Sequence, residues 1–162
     1  MTRIVPIATI AAAAVDALLD RAFGPGRHTR TAYRVRAGTD AIPELSFAAL
    51  DAQGALAGSI QCWPAALHGG GAIHPLVMIG PVAVEPALQG EGIGGALMAQ
   101  VLAEAGDAAP LMLIGDPGYY GRFGFSAEAT GGWQLPGPFE AHRLLARGTG
   151  VPAGVSGSVG PW

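Results

Sequence analysis

Apolar positions recur along the chain at two spacings, one suited to helices and one to strands, and their order predicts the elements. Residues 3–7 read as a short first strand. Val15, Leu18, Leu19, Ala22 and Phe23 repeat at helical spacing with Asp16, Asp20 and Arg21 off that face, and Gly24-Pro25-Gly26 stops the helix. Residues 29–36 predict a second short helix whose arginines, Arg30, Arg34 and Arg36, form a solvated face. Residues 44–50 predict a strand, Asp51-Ala52-Gln53-Gly54 a turn, and residues 55–63 the returning strand of an antiparallel hairpin. A flexible loop over residues 67–72 leads into a third, mostly apolar strand at residues 73–84. Pro81 inside that strand marks a bulge or an edge, because proline cannot donate to the ladder.

After Val84 comes a glycine-dense loop, Gln89-Gly90-Glu91-Gly92-Ile93-Gly94-Gly95, and a helix predicted from Gly92 to Ala105. Ile93, Ala96, Leu97, Val101 and Leu102 make its apolar face. A strand that feeds a glycine-rich loop at a helix N-terminus is a physical recipe for an anion site. The first helical N–H groups lack internal partners, the helix dipole adds partial positive charge, and glycine lets a phosphate approach the backbone. Leu111-Met112-Leu113-Ile114 reads as a buried strand, parallel to the one ending at Val84 because a single helix joins them in a right-handed crossover. A short helix and turn follow at residues 118–125, with weaker strand candidates at 131–135 and 141–147. No internal repeat and no domain boundary is visible, so residues 1–147 are expected to form one domain and 148–162 an irregular tail.

Composition narrows the function classes. A chain of 162 residues fits one domain able to bury roughly 70% of its unfolded surface. Half the residues are apolar and 13% are charged, which suggests an ample core and an apolar surface suited to a homodimer. Net charge is -3, all nine basic residues are arginine, and no basic run occurs, which argues against a nucleic-acid partner. The single Cys62 excludes an internal disulfide and a cysteine-rich zinc site and fits a reducing cytoplasm, while four scattered histidines give no metal site. Residues 4–15 superficially resemble a signal segment, but Asp16 and Asp20 follow and no cleavage site is evident, so they read as folded sequence. No apolar run reaches ~18 residues, so no membrane span is expected.

Three phosphate-binding motifs compete for the glycine loop. A P-loop is excluded because the chain has no lysine. Gly90, Gly92 and Gly95 fit the dinucleotide pattern G-x-G-x-x-G, with Asp116 at about the expected distance, and a nicotinamide oxidoreductase stands as an alternative on that ground. Against it, Glu85 to Gln89 separate the strand from the first glycine, and antiparallel strands precede the loop. The third pattern fits best. Gln89-Gly90-Glu91-Gly92-Ile93-Gly94, after Val82-Ala83-Val84-Glu85-Pro86, resembles the acetyl-CoA motif of the GNAT N-acetyltransferases. Tyr120-Gly121-Arg122-Phe123-Gly124-Phe125 resembles that family's Y-x-x-x-G-F segment. Gly115-Asp116-Pro117-Gly118-Tyr119-Tyr120 and Ile79-Gly80-Pro81-Val82-Ala83-Val84 resemble its YhbS-like branch of predicted acetyltransferases.

The resemblance implies an α/β (α+β) fold of GNAT type, with flanking helices on a mixed, mostly antiparallel sheet that contains one splayed parallel pair. It implies acetyl-CoA as cofactor, with pantetheine along Val82, Ala83 and Val84, and pyrophosphate on the N–H groups of Gln89, Gly90, Glu91, Gly92, Ile93, Gly94 and Gly95. The implied reaction is direct acetyl transfer to a small-molecule or peptide amine. Tyr120 aligns with the family's general acid, its phenol protonated below a pKa near 10; the plainer reading is a packed aromatic, and Tyr119 is the adjacent fallback. An oxyanion donor is implied at a backbone N–H near Val84. Glu85 is a candidate general base, with Glu44 as an alternative base or ammonium-binding group, His74 as a third, and water-relayed deprotonation as the option without a dedicated base. Asp116 reads as an N-cap, Arg122 as a phosphate contact or surface residue, and Cys62 as a small apolar strand residue. The acceptor cleft is expected from residues 23–44 and 131–147. A non-catalytic acyl-CoA-binding module is the rival of a different class.

Overall fold

In the computed structural model, which describes residues 2–162, the chain divides into two compact units. The first comprises the chain up to His28 with Ala41–Cys62 and Pro81–Ala105; the second comprises Thr29–Asp40, Trp63–Gly80 and Gly106–Trp162. Eight strands belong to one mixed sheet, and its two long strands, β3 (Leu56–Gly69) and β4 (Ala72–Val84), contribute to both units.

In the first unit, strand β1 (Arg3–Pro6) pairs antiparallel with β2 (Phe47–Leu50), and β2 pairs antiparallel with the start of β3. Helix α1 (Ala12–Phe23) lays Val15, Leu18 and Leu19 into a cluster with Ala83, while Ile7, Ile10, Phe23 and Leu56 pack around it. The spacing of those three residues on one face is what the sequence pattern announced. The opposite face of α1 holds more than solvent. Asp20 and Asp16 take the buried Arg27 at 2.9 and 3.7 Å. Helix α3 (Ile93–Ala105) buries Ile93, Leu97, Met98 and Val101. Fully burying a side chain of that size contributes about 1.5–3 kcal/mol.

The second unit contains the short helix α2 (Thr31–Val35), strand β5 (Leu111–Ile114), helix α4 (Pro117–Tyr120), strands β6 (Trp133–Gln134) and β7 (Leu144–Arg147), and strand β8 (Gly157–Pro161). As expected from the crossover, β4 and β5 are parallel, with Val77 opposite Leu111 and Met78 opposite Met112. Their pairing stops there, although β5 runs on to Ile114 and pairs along its whole length with β7. Trp133, Met78, Met112, Leu144 and Val159 form the centre of this unit's core.

Four expectations need correction. The strand predicted from Glu44 begins only at Phe47, because Pro43 opens a 3-10 turn over Pro43–Leu45 that Ser46 Oγ closes by donating to Ile42 O at 2.8 Å. The loop expected at residues 67–72 is instead a tight hairpin. Gly70 and Gly71 hold φ of +62° and +76°, the paired positive values of a two-residue turn that favours glycine at both positions, and β3 therefore runs to Gly69. Helix α3 starts at Ile93, one residue later than predicted. The tail expected to be irregular carries β8, which pairs antiparallel with the lengthened end of β3 and parallel with β6. The irregularity expected at Pro81 lies next door, where Gly80 holds φ +140°.

Candidate functional site

The glycine loop lies wholly in the first unit. After Val84 the chain leaves β4, with Glu85 N–H still donating to Ala57 O at 2.8 Å. Pro86 opens a 3-10 turn (Pro86–Leu88), which Leu88 N–H closes on Glu85 O at 2.8 Å. Gln89 Nε2 reaches back to Val84 O at 3.3 Å and fixes the entrance. Gly90 and Gly92 then take φ of +86° and +80°, with no atom within 4 Å of where a Cβ would stand. The backbone N–H groups of Gly90, Glu91, Gly92, Ile93, Gly94 and Gly95 donate to no acceptor among the described residues, and Ala96 N–H, to Gly92 O at 3.0 Å, is the first to close a helical ring. Six successive donors at a helix N-terminus, beside open space, fit a pyrophosphate both sterically and electrostatically.

Beside the loop, the Glu85 carboxylate is engaged. Arg21 Nε lies 3.2 and 3.1 Å from its two oxygens, and Arg21 Nη2 lies 2.8 Å from Oε2. Hydrogen bonding to Glu85 raises the Arg21 pKa. Glu44, expected on a strand, is exposed on the 3-10 turn before β2. Val82, Ala83 and Val84 form the end of β4 with Ala83 buried, and Cys62 is fully buried on β3. His74 lies near the start of β4, its Nε2 buried without a hydrogen-bond partner among the described residues.

Tyr120 sits in the second unit, at the end of α4. Asp116 caps that helix by accepting from Gly118 N–H at 3.0 Å, with Pro117 at the first helical position, as its place in the sequence implied. The Tyr120 ring packs edge-on against Tyr119 and Phe125, with centroids 4.9 and 6.3 Å away. Its hydroxyl makes no hydrogen bond among the described residues. Burial raises its pKa, the neighbouring Tyr119 and Asp116 add to that, and the Arg143 guanidinium opposes it. The phenol is therefore protonated at neutral pH. Gly115 makes this placement possible: any Cβ there would collide with the Tyr120 ring. Arg122 stacks 4.6 Å over the Tyr119 ring and donates to Tyr119 O, so its role is local.

The second unit also carries a half-open cavity of about 560 Å³ at its surface. Its walls are Thr29 to Ala32 on one side and Pro138 to Glu140 with Arg143 on the other, and Ile114 lines it from the end of β5. Both walls fall within the segments expected to form an acceptor cleft. Gly115 and Arg143 escaped sequence reasoning. The signal for Gly115 was a glycine between a buried strand and a helix cap, whereas a lone arginine in a weak strand candidate gave none.

Residues 6–127 match the acetyltransferase (GNAT) domain. The chain belongs to the GNAT acetyltransferase family. It is 30% identical over 145 residues to the uncharacterized N-acetyltransferase YhbS of Escherichia coli K12, covering 83% of each chain. Among solved structures, a GNAT family acetyltransferase from Brucella melitensis in complex with acetyl-CoA is 27% identical with a TM-score of 0.63, over 99% of this chain and 95% of that one. The YhbS structure from Escherichia coli in complex with CoA, 24% identical, has the same fold with a TM-score of 0.73 over 100% and 89% of the two chains. The mixed sheet is thus a GNAT sheet, and nothing in these relatives supports the nicotinamide alternative. No helix among the described residues is long and apolar enough to cross a membrane.

Proposed function

We propose that this GNAT acetyltransferase binds acetyl-CoA and moves its acetyl group directly to a primary amine. The observation that supports this best is the run of six unpaired N–H donors from Gly90 to Gly95. They would hold the pyrophosphate, together with Gln89, which shapes the entrance, and the main chain of Val82, Ala83 and Val84 would align the pantetheine arm. The solved relatives that carry CoA and acetyl-CoA support the same cofactor. When bound, acetyl-CoA supplies the thioester whose acetyl carbon the amine nitrogen takes. Tyr120 Oη holds the proton that the departing sulfur needs, and its raised pKa keeps that proton in place at neutral pH. Glu85 anchors the loop entrance through Arg21, its oxygens spent on that ion pair, and the amine proton leaves through water. Glu44, exposed on its turn, is an acceptor contact of lower rank than the cavity residues.

We place the protein in the cytoplasm, where its buried free thiol and a soluble amine acceptor both fit. Ile73 and Trp162, large and exposed, are the residues we assign to a homodimer contact. The acetyltransferase domain spans 1–147, and the tail adds a strand to it. The experiment is a thermal-shift titration with acetyl-CoA followed by thiol release on a panel of amines. Stabilisation with thiol release that depends on an amine supports the reading. Stabilisation without release from any amine leaves a non-catalytic acyl-CoA-binding module, and stabilisation by NAD but not by acetyl-CoA overturns the proposal.

A further inference from the structure

The cavity in the second unit bears on the acceptor, which the motifs leave open. Its size lies within the range of small-molecule sites, about 300–1,000 Å³. Its apolar lining, Ala32, Ile114, Pro138 and Phe139, suits an aliphatic or aromatic side chain. Its charged lining is two arginines, Arg30 and Arg143, against the single carboxylate of Glu140, which itself lies 3.4 Å from His142 Nε2. The wall is therefore net positive in a chain of net charge -3. A cationic polyamine is disfavoured there and an anion is favoured.

The Arg143 guanidinium is the group best placed to use that charge. Arg21, Arg27, Arg34, Arg122 and Arg147 all spend their side chains on protein acceptors, on Glu85, Asp20, Pro136 O, Tyr119 O and Asp107 respectively. Among the described residues, Arg143 forms no side-chain hydrogen bond or ion pair, although it lines the cavity. The walls around it are already laced together. Thr31 Oγ1 donates to Pro138 O, and Arg34 Nη1 donates to Pro136 O at 3.1 Å. Those bonds hold the walls before a ligand arrives, so the main ordering that binding requires is that of the exposed Arg143 side chain. Arg143 is also close enough to Tyr120 to act on its hydroxyl, so the cavity and the proposed proton donor share one neighbourhood within this unit.

We infer that the acceptor is a small amine bearing a carboxylate, an amino-acid-like molecule whose carboxylate is held by the Arg143 guanidinium in this cavity. The inference rests on the acetyltransfer reading above and names its substrate class. The amine nitrogen bonds to the acetyl carbon as the carbon–sulfur bond breaks, the sulfur leaves with the proton from Tyr120, and the proton that the amine loses passes through water back to the Tyr120 phenolate. The carboxylate takes no part beyond binding. A planar guanidinium meets a carboxylate through two parallel bonds, so Arg143 would select for the group and orient the amine.

The test is steady-state acetyl transfer by the full chain, read as thiol release. The acceptors are apolar amino acids, the amines left by their decarboxylation, a phosphorylated amine and a polyamine. The amino acid is expected to exceed its decarboxylated amine at least tenfold in kcat/KM. Arg143→Gln is expected to raise the acceptor KM at least tenfold, leave the acetyl-CoA KM within twofold, and erase the discrimination. Equal use of amino acid and amine, or preference for the polyamine or the phosphorylated amine, overturns the inference. So does an Arg143→Gln effect on the acetyl-CoA KM alone. The discrimination is measured on the wild-type chain and needs no variant to fold. If acetyl-CoA stabilises the protein and plain amines are acetylated without discrimination, the substrate class falls while acetyltransfer stands. If acetyl-CoA neither stabilises the protein nor reacts, both fall.

Discussion

Replacing Gly92 by alanine separates the loop's conformation from its ligand. Gly92 holds φ +80° with nothing within 4 Å of a Cβ, so the substitution meets no steric clash in the free protein. What remains is the cost of a left-handed non-glycine residue, about 1–2 kcal/mol. In a domain of this size each kcal/mol moves Tm by about 2–4 °C, so the free variant should melt about 2–8 °C lower. Acetyl-CoA at a hundredfold above Kd should add about 2.7 kcal/mol to the wild type. In the variant the new methyl group occupies the open space beside the unpaired donors, where a phosphate must approach. A tenfold weaker Kd leaves only about 1.4 kcal/mol of stabilisation at the same ligand concentration. The assay is a pair of melting curves, with and without acetyl-CoA, on both proteins. A variant that melts lower when free yet gains as much from acetyl-CoA as the wild type would refute the pyrophosphate cradle.

Gly115→Ala should push the Tyr120 ring aside, destabilise the fold by about 1–3 kcal/mol as overpacking does, and lower kcat while the acetyl-CoA Kd stays within twofold, measured by titration calorimetry. Glu85→Gln should leave the denaturant midpoint nearly unchanged, because the pair with Arg21 is solvent-exposed, and should leave kcat within threefold; a hundredfold loss would restore Glu85 as the base. Burial pushes the Cys62 thiol from 9.0 up to about 12, so a thiol reagent should label it only on unfolding. The folded chain keeps that proton where the unfolded chain releases it, so stability should fall as pH rises between 9.0 and about 12, an effect a Cys62→Ala variant should reduce.

What could be read from the sequence was what local chemistry decides. The α1 pattern, the strand–loop–helix around Gly90 and Gly92, and the Asp116 cap each depend on residues close together in the chain, and each is present, the helix after the loop starting one residue later than read. Local misreadings shifted element ends, as Pro43 did for β2; the larger ones arose where partners lie far apart. Residues 67–72 read as a flexible loop after a strand ending at Trp63, yet the Gly70-Gly71 turn and pairing of Ala65 to His68 with β8 extend that strand to Gly69. Gly157 and Pro161 looked like an irregular tail because the edge of β3 that pairs with them stands about a hundred residues earlier in the chain. The same limit applies to the site. Glu85 reads as a base candidate beside the loop, and only the fold brings Arg21 onto it. The contact of Gly115 with Tyr120 and the opening of Arg143 onto the cavity are likewise products of the folded chain.

The most direct test of the account is thiol release by the wild type and by Tyr120→Phe, with acetyl-CoA and an amine both saturating. The substitution removes a hydroxyl that bonds to nothing among the described residues and keeps the ring that packs on Phe125, so stability and acetyl-CoA affinity should be nearly unchanged. Loss of a general acid should lower kcat by about 10²–10⁴. Amine-dependent release by the wild type is expected, slowed at least a hundredfold in the variant. Turnover of Tyr120→Phe at the wild-type rate would contradict the assignment of the proton donor, and absence of release from the wild type with every amine would contradict acetyltransfer itself.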